Sequence, residues 1–245
     1  AMNIAKRSDY DNVKLIYKGI EPPRINYFDT AKKIQDIKMK FSDKILFTCF
    51  INNIQENYSI LLDAADKLNK ENSKAVIIIA NSIESNSNQN STFEDKENII
   101  NIGNLTKEEE ESLYKTTDIG ISLTETKELC PEILKFIAYG KPFISCHTAE
   151  AKEITFSNQI GLNFQKDNIE EFLEAVTKLL NFETREDFNI NIQETFNSKL
   201  NNKNIYNDYI KYLENIAIEE NTKKESQLDK IKNHVENKIA VSYTH

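Results

Sequence analysis

One stretch limits what this chain can fold into more than any other: Asp118–Cys146, DIGISLTETKELCPEILKFIAYGKPFISC. Asp118–Leu123 is apolar and of strand length. Thr124–Cys130 is a polar loop. Pro131–Tyr139 is apolar and helix-compatible, with proline at the one helical position that needs no amide hydrogen. Gly140 supplies a C-terminal stop. Pro142 blocks further helix, and Phe143–Cys146 is again strand-like. Strand, helix and second parallel strand form the unit that places ligands at the strand's C-terminal end. The loop Thr124–Cys130 is therefore where chemistry is expected.

The rest of the chain repeats this alternation. Continuous apolar runs at Lys44–Ile51 and Lys74–Ala80 suit strands covered on both faces. Ile99–Ile102 and Gly161–Phe164 are shorter strands of the same kind. Between them, Ile60, Leu61, Ala64, Ala65 and Leu68 recur at helical spacing, as do Ile169, Phe172, Leu173, Val176, Leu179 and Leu180. Thr106 and Glu109 have the spacing of a capping box and open a helix through Thr116. Shorter helices are expected over Thr30–Lys40 and Glu150–Ile154. Strands alternate with helices about six times, which predicts an α/β fold: a Rossmann-like open parallel sheet with helices on both faces.

Three parts follow. Residues 1–43 read as linker and N-terminal segment, 44–198 as the Rossmann-like domain, and 199–245 as a helical C-terminal extension. In the extension, Ile205, Tyr206, Tyr209, Ile210, Leu213 and Ile216 form an apolar stripe, expected to pack on the sandwich. A narrower stripe of Leu228, Ile231, Val235 and Ile239 suits pairing with another chain or with a further part of the protein.

Composition removes several alternatives. A net charge of −8 gives no general nucleic-acid footprint. No apolar run approaches membrane-spanning length. Three cysteines make no even disulfide framework, so a reducing cytoplasm with buried thiols is the simpler reading. Three Cys and three His show no metal-ligand spacing, and five glycines supply no dinucleotide fingerprint after the first strand. Cys130 at a helix N-terminus is a candidate for a lowered thiol pKa. His147 follows a strand at the same rim, with an exposed surface histidine as the plain alternative. The acidic run Glu108–Glu111 is read as first-turn charge rather than a cation site.

The order of elements and several strings together resemble the C-terminal, donor-binding half of GT-B glycosyltransferases, especially the retaining family called glycosyltransferase group 1 or family 4. These strings are IYKGIEPPRINYF, KILFTCF, SILLDAADKL, NIINIGNLTKEEEESLYKTTDIGISLT, ILKFIAYGKPFISC and NQIGLNFQKDNIEEFLEAVTKLL. They cover Lys14–Leu180. The resemblance implies transfer of a sugar from a nucleotide diphosphate sugar, with retention at the anomeric carbon. It implies no separate cofactor and no metal. It also implies an N-terminal acceptor domain that this chain lacks, so that the chain alone is inactive. Self-association through the C-terminal helices is a further expectation.

Where the family places two glutamates eight positions apart, alignment on Gly140-Lys141-Pro142 puts Lys127 and Lys135. Where it places an Arg and a Lys after the first strand, this chain has Ile51 or Asn52 and Glu56 or Asn57. The donor-binding candidates are therefore Asn52, Asn53, Gly103, Asn104, Leu105, Glu125, Lys127, Glu128, Leu129, Cys130, Pro131 and Lys135. Two readings stay open. In one, Lys127 and Lys135 replace the missing cations, the amides of Cys130–Ile133 face the phosphates, and Gly103–Leu105 lie near the base. In the other, the domain no longer catalyses and serves as a binding or scaffolding module.

Overall fold

The computed structural model describes residues 19–21, 23, 30–51, 59–71, 74–81, 97–124, 130–155 and 159–242. The described elements run α1 (Lys32–Lys40), β1 (Ile45–Ile51), α2 (Ser59–Lys70), β2 (Ala75–Asn81), β3 (Ile99–Asn104), α3 (Lys107–Thr116), β4 (Ile119–Ser122), α4 (Pro131–Ala138), β5 (Phe143–Cys146), α5 (Ala149–Thr155), β6 (Gly161–Phe164), α6 (Ile169–Leu180), α7 (Phe182–Thr195), a π-helical turn (Phe196–Leu200) and α8 (Asn202–Ser242). The chain divides into two compact units, one of residues 20–198 and one of residues 1–19 with 199–245.

The larger unit is one six-stranded sheet in the order β3-β2-β1-β4-β5-β6. Every pairing is parallel. This is the Rossmann strand order, and the α/β expectation holds. The sequence runs outward from β1 to β3, then crosses back to continue from β4 to β6. The reversal lies between β1 and β4, the point on the C-terminal edge where sheets of this order form a ligand-binding crevice.

Both faces are covered. On one, Phe47, Cys49 and Ile51 of β1, Ile77 and Ile79 of β2, and Ile119 and Ile121 of β4 meet α2 and α6 through Leu61, Ala65, Phe172 and Val176. On the other, Phe50 stacks on Tyr114 of α3, with ring centroids 4.4 Å apart. Tyr114 meets Phe136 of α4 edge-on at 5.0 Å and stacks on Tyr139 at 5.7 Å. Helix α4 packs directly on the sheet here. A Cβ on Gly120 of β4 would overlap the Phe136 ring, so only glycine lets that ring lie on the strand.

The ends of the key elements follow their residues. Thr106 accepts from the Glu109 amide while the Glu109 carboxylate accepts from the Thr106 amide, completing the capping box. These bonds hold the Glu109 carboxyl below its ordinary pKa, the Thr106 amide most of all. Helix α4 ends as its glycine requires. Gly140 takes φ +69, its amide donates to Ile137 O, and Lys141 N donates to Phe136 O. Strand β3 reaches Asn104, two residues beyond the expected Ile102, because its register shifts opposite Ile79 and Ala80 and pairing resumes at Gly103.

The helical C-terminal extension forms as α8, with some apolar residues of both stripes on its surface. Tyr206, Tyr209 and Leu213 are 65%, 48% and 43% exposed, and Ile231 of the second stripe is 63% exposed. Periodicity identifies the helix.

Candidate functional site

The candidate crevice at the β1/β4 reversal lies at the ends of these two strands and the start of α4. Asn52 and Asn53 follow β1 in the sequence, and Glu125, Lys127, Glu128 and Leu129 follow β4. These six candidates lie outside the described residues. The site can be built from the residues on either side.

Helix α4 begins on Cys130, with Pro131 at its first position and Glu132 in its first turn. Cys130 is its N-cap residue but makes no side-chain capping bond. Its thiol instead donates to Glu132 Oε2 and lies 3.3 Å from Ser122 Oγ at the end of β4. Ser122, Cys130 and Glu132 are all buried. A helix N-terminus favours a thiolate, but burial and the adjacent Glu132 carboxylate push the Cys130 thiol up to about 11. The cysteine is held as a neutral donor, which removes the lowered-pKa expectation.

One turn further along α4, Lys135 pairs with Glu110 of α3. Its Nζ lies 5.2 Å from the centre of the Tyr114 ring. The Glu110 side chain is 6% exposed and that of Lys135 50%. Burial raises the Tyr114 phenol well above its ordinary value, and the Glu110 and Glu132 carboxylates raise it further. Ser122, Cys130, Glu132, Tyr114, Glu110 and Lys135 therefore make one polar patch beside the crevice.

The candidates on β3 sit elsewhere on the same edge of the sheet. Gly103 has φ +65, its amide is bonded to Asn101 Oδ1 at 2.9 Å, and nothing lies within 4 Å of the position a Cβ would take. Asn104 is exposed, and its Oδ1 accepts from Asn81 Nδ2 at 2.7 Å. Leu105 is buried. This gives an open backbone shelf with amide groups at the ends of β2 and β3. His147, after β5, is exposed, with its backbone amide on Phe164 O.

Of the sequence candidates, Cys130, Pro131 and Lys135 lie on α4 or at its N-cap, whereas Glu110, Tyr114, Ser122 and Asn81 are not singled out by sequence as site residues. Glu110 reads as first-turn charge, and no local signal marks its bond to a lysine 25 residues away. Ser122 carries a weak signal, as a hydroxyl inside an apolar strand. Among the described residues, no three His, Cys, Asp or Glu side chains are grouped to hold a metal. Cys49, Cys130 and Cys146 are buried thiols. No helix among these residues is long and apolar enough to cross a membrane.

Three solved structures share this fold at low identity. A glycosyltransferase from Rickettsia africae superposes with a TM-score of 0.62 at 17% identity, covering 86% of this chain and 61% of that one. HepE from Anabaena, solved in complex with UDP-glucose, gives 0.61 at 13% identity, covering 83% and 57%. An α,α-trehalose-phosphate synthase (UDP-forming) from Burkholderia xenovorans gives 0.58 at 11% identity, covering 81% and 50%. The chain thus spans only about half to three fifths of the length of these proteins. No curated protein sequence matches it significantly. The family model described as glycosyl transferases group 1 matches residues 30–195, most of the Rossmann-like unit and its crevice, and the chain belongs to that family.

Proposed function

We propose that this chain is the donor-binding half of a nucleotide-sugar-dependent, retaining glycosyltransferase acting in the cytoplasm. The observation that carries the reading is the reversal between β1 and β4, which opens beside the N-terminus of α4 in a chain of the group 1 family. A helix start offers unsatisfied amides and a positive dipole end to an anion. The diphosphate of the donor sits against the first turn of α4, near the amides of Glu132 and Ile133. In this reading Lys127 and Lys135 are the candidates for charge, and Asn52, Asn53, Glu125 and Glu128 are further candidate contacts. The base lies on the Gly103–Leu105 shelf. HepE was solved with UDP-glucose and the trehalose-phosphate synthase is UDP-forming, which supports a nucleoside diphosphate as the ligand class. In this reading the acceptor is held by a second domain, and residues 44–198 alone do not transfer sugar. In this scheme residues 44–198 are the donor domain, 1–43 the linker and 199–245 an added helical extension.

Calorimetry or ligand-observed NMR with UDP, GDP and ADP sugars tests this. Binding of one of them at submillimolar concentration is expected. No binding of any at millimolar concentration overturns the reading.

A second reading is favoured by one observation: Lys135, at a motif position, is engaged by Glu110 within the chain. In that reading the domain is a catalytically degenerate binding or scaffolding module, self-associating through exposed residues of α8 such as Tyr206 and Leu213. It predicts a stable dimer by light scattering and no nucleotide affinity.

A further inference from the structure

We propose that Glu110 sets how strongly the crevice attracts phosphate, by drawing the Lys135 ammonium onto α3. This rests on the donor-site reading and adds to it a specificity-determining residue from outside the β4–α4 segment.

Lys135 is the only basic residue of α4, and its ammonium is engaged by the Glu110 carboxylate and the face of the Tyr114 ring. The acid is the fixed member of the pair, at 6% exposure, and the base the movable one, at 50%. A lysine carries its charge on a flexible stem with three donors, so it turns to whichever partner offers the stronger field. The ring beneath the ammonium cannot follow it, because Tyr114 is clamped between Phe50 and Tyr139 with Phe136 at its edge. The patch also holds a second buried carboxylate, Glu132. Two carboxylates and one ammonium thus share the patch, a balance that disfavours the approach of a diphosphate. Replacing Glu110 by a neutral side chain raises the formal charge of the patch by one and takes away the ammonium's anionic partner on α3. The half-exposed ammonium is then available to an anion arriving at the start of α4.

The test is calorimetry on the full chain as wild type, Glu110→Gln, and Glu110→Gln with Lys135→Met, titrated with UDP, uridine and inorganic pyrophosphate. Glu110→Met, which fills the same buried volume with an apolar chain, provides a second neutral variant, and thermal unfolding checks the fold of each. UDP and pyrophosphate are expected to bind Glu110→Gln roughly tenfold more tightly than wild type at low salt. Uridine, which has no phosphate, is expected to be unaffected. The gain should vanish in the double variant and shrink at high salt. Suppose the wild type binds UDP and the Glu110 variants change UDP and uridine alike, or neither. The role of Glu110 then falls and the donor-site reading stands. Suppose instead the wild type binds no nucleotide while the variants gain UDP and pyrophosphate. The donor-site reading then falls and the role of Glu110 stands. No binding by any form overturns both.

Discussion

The two faces of the sheet are built differently. Beneath α2 and α6, the strand residues are almost all apolar: Phe47, Cys49, Ile51, Ile77, Ile79, Ile121, Ile144 and Phe164 form a continuous core with Leu61, Phe172 and Leu179. Beneath α3, α4 and α5, the alternate residues include hydroxyls and amides. Thr48 meets Thr117 at 2.7 Å, Ser122 meets Cys130, and Ser145 donates to Asn163, which donates to Thr155. Period-2 alternation along the same strands feeds both faces. The first face supplies non-directional burial. The second gives up some burial for directional bonds, and the bond between Ser122 and Cys130 lies at the start of α4. Stability and site are thus assigned to opposite sides of one sheet.

The sharpest way to break that division is Phe172→Ala. Phe172 is fully buried on the apolar face and packs edge-on against Phe164 at 5.1 Å. The loss should be about 4 kcal/mol in urea unfolding. Where the fold persists, UDP affinity should be unchanged, and a marked loss of affinity would show that the faces are not separable.

Gly120→Ala strikes the polar face instead. Its new methyl overlaps the Phe136 ring, and overpacking of this kind costs about 2 kcal/mol. Here stability and nucleotide affinity should fall together, because α4 must move away from the sheet to admit the methyl. Lost stability with intact affinity would mean that the position of α4 does not set the site.

An effect of similar size, confined to alkaline conditions, is set by pH. The raised pKa of the Cys130 thiol means the folded chain keeps this proton where the unfolded chain has lost it. The resulting stability is fully present below the ordinary value of 9.0 and drains away as pH climbs through it toward about 11. The total is on the order of 2 kcal/mol, since a tenfold change in acidity is worth about 1.4 kcal/mol and solvent screens part of the effect. Cys130→Ala should flatten stability between these limits relative to wild type in parallel urea titrations. An unchanged alkaline slope would assign the loss to the tyrosines instead.

Much of the scaffold is legible in the sequence because it is local. Apolar runs such as Ile45–Ile51 and Ala75–Asn81 identify buried strands, and Pro131 with Gly140 brackets α4. The Thr106–Glu109 box is written in four consecutive residues. The site is less legible because its polar contacts are tertiary. Glu110 looks like one more acid in a first turn until folding places it against Lys135. The protonation of Cys130 depends on burial and on Glu132, neither of which a helix-start rule contains. Conversely, the apolar stripe of α8 is plain in sequence, but its periodicity does not determine whether Tyr206 and Leu213 are covered.

The seam between β1 and β4 has a consequence for how the molecule comes together. No crossover joins these two strands directly. Leu46 N reaches Asp118 Oδ2 and Thr48 reaches Thr117 across separations of 72 and 69 residues. Each half can assemble from neighbouring pieces, whereas the seam must close a long loop before its contacts repay the lost chain freedom. A nucleotide bound as proposed at this reversal would touch the edges of both halves at the place where the chain itself is least connected. It would act as a clasp, and the population of fully joined molecules would rise with its concentration.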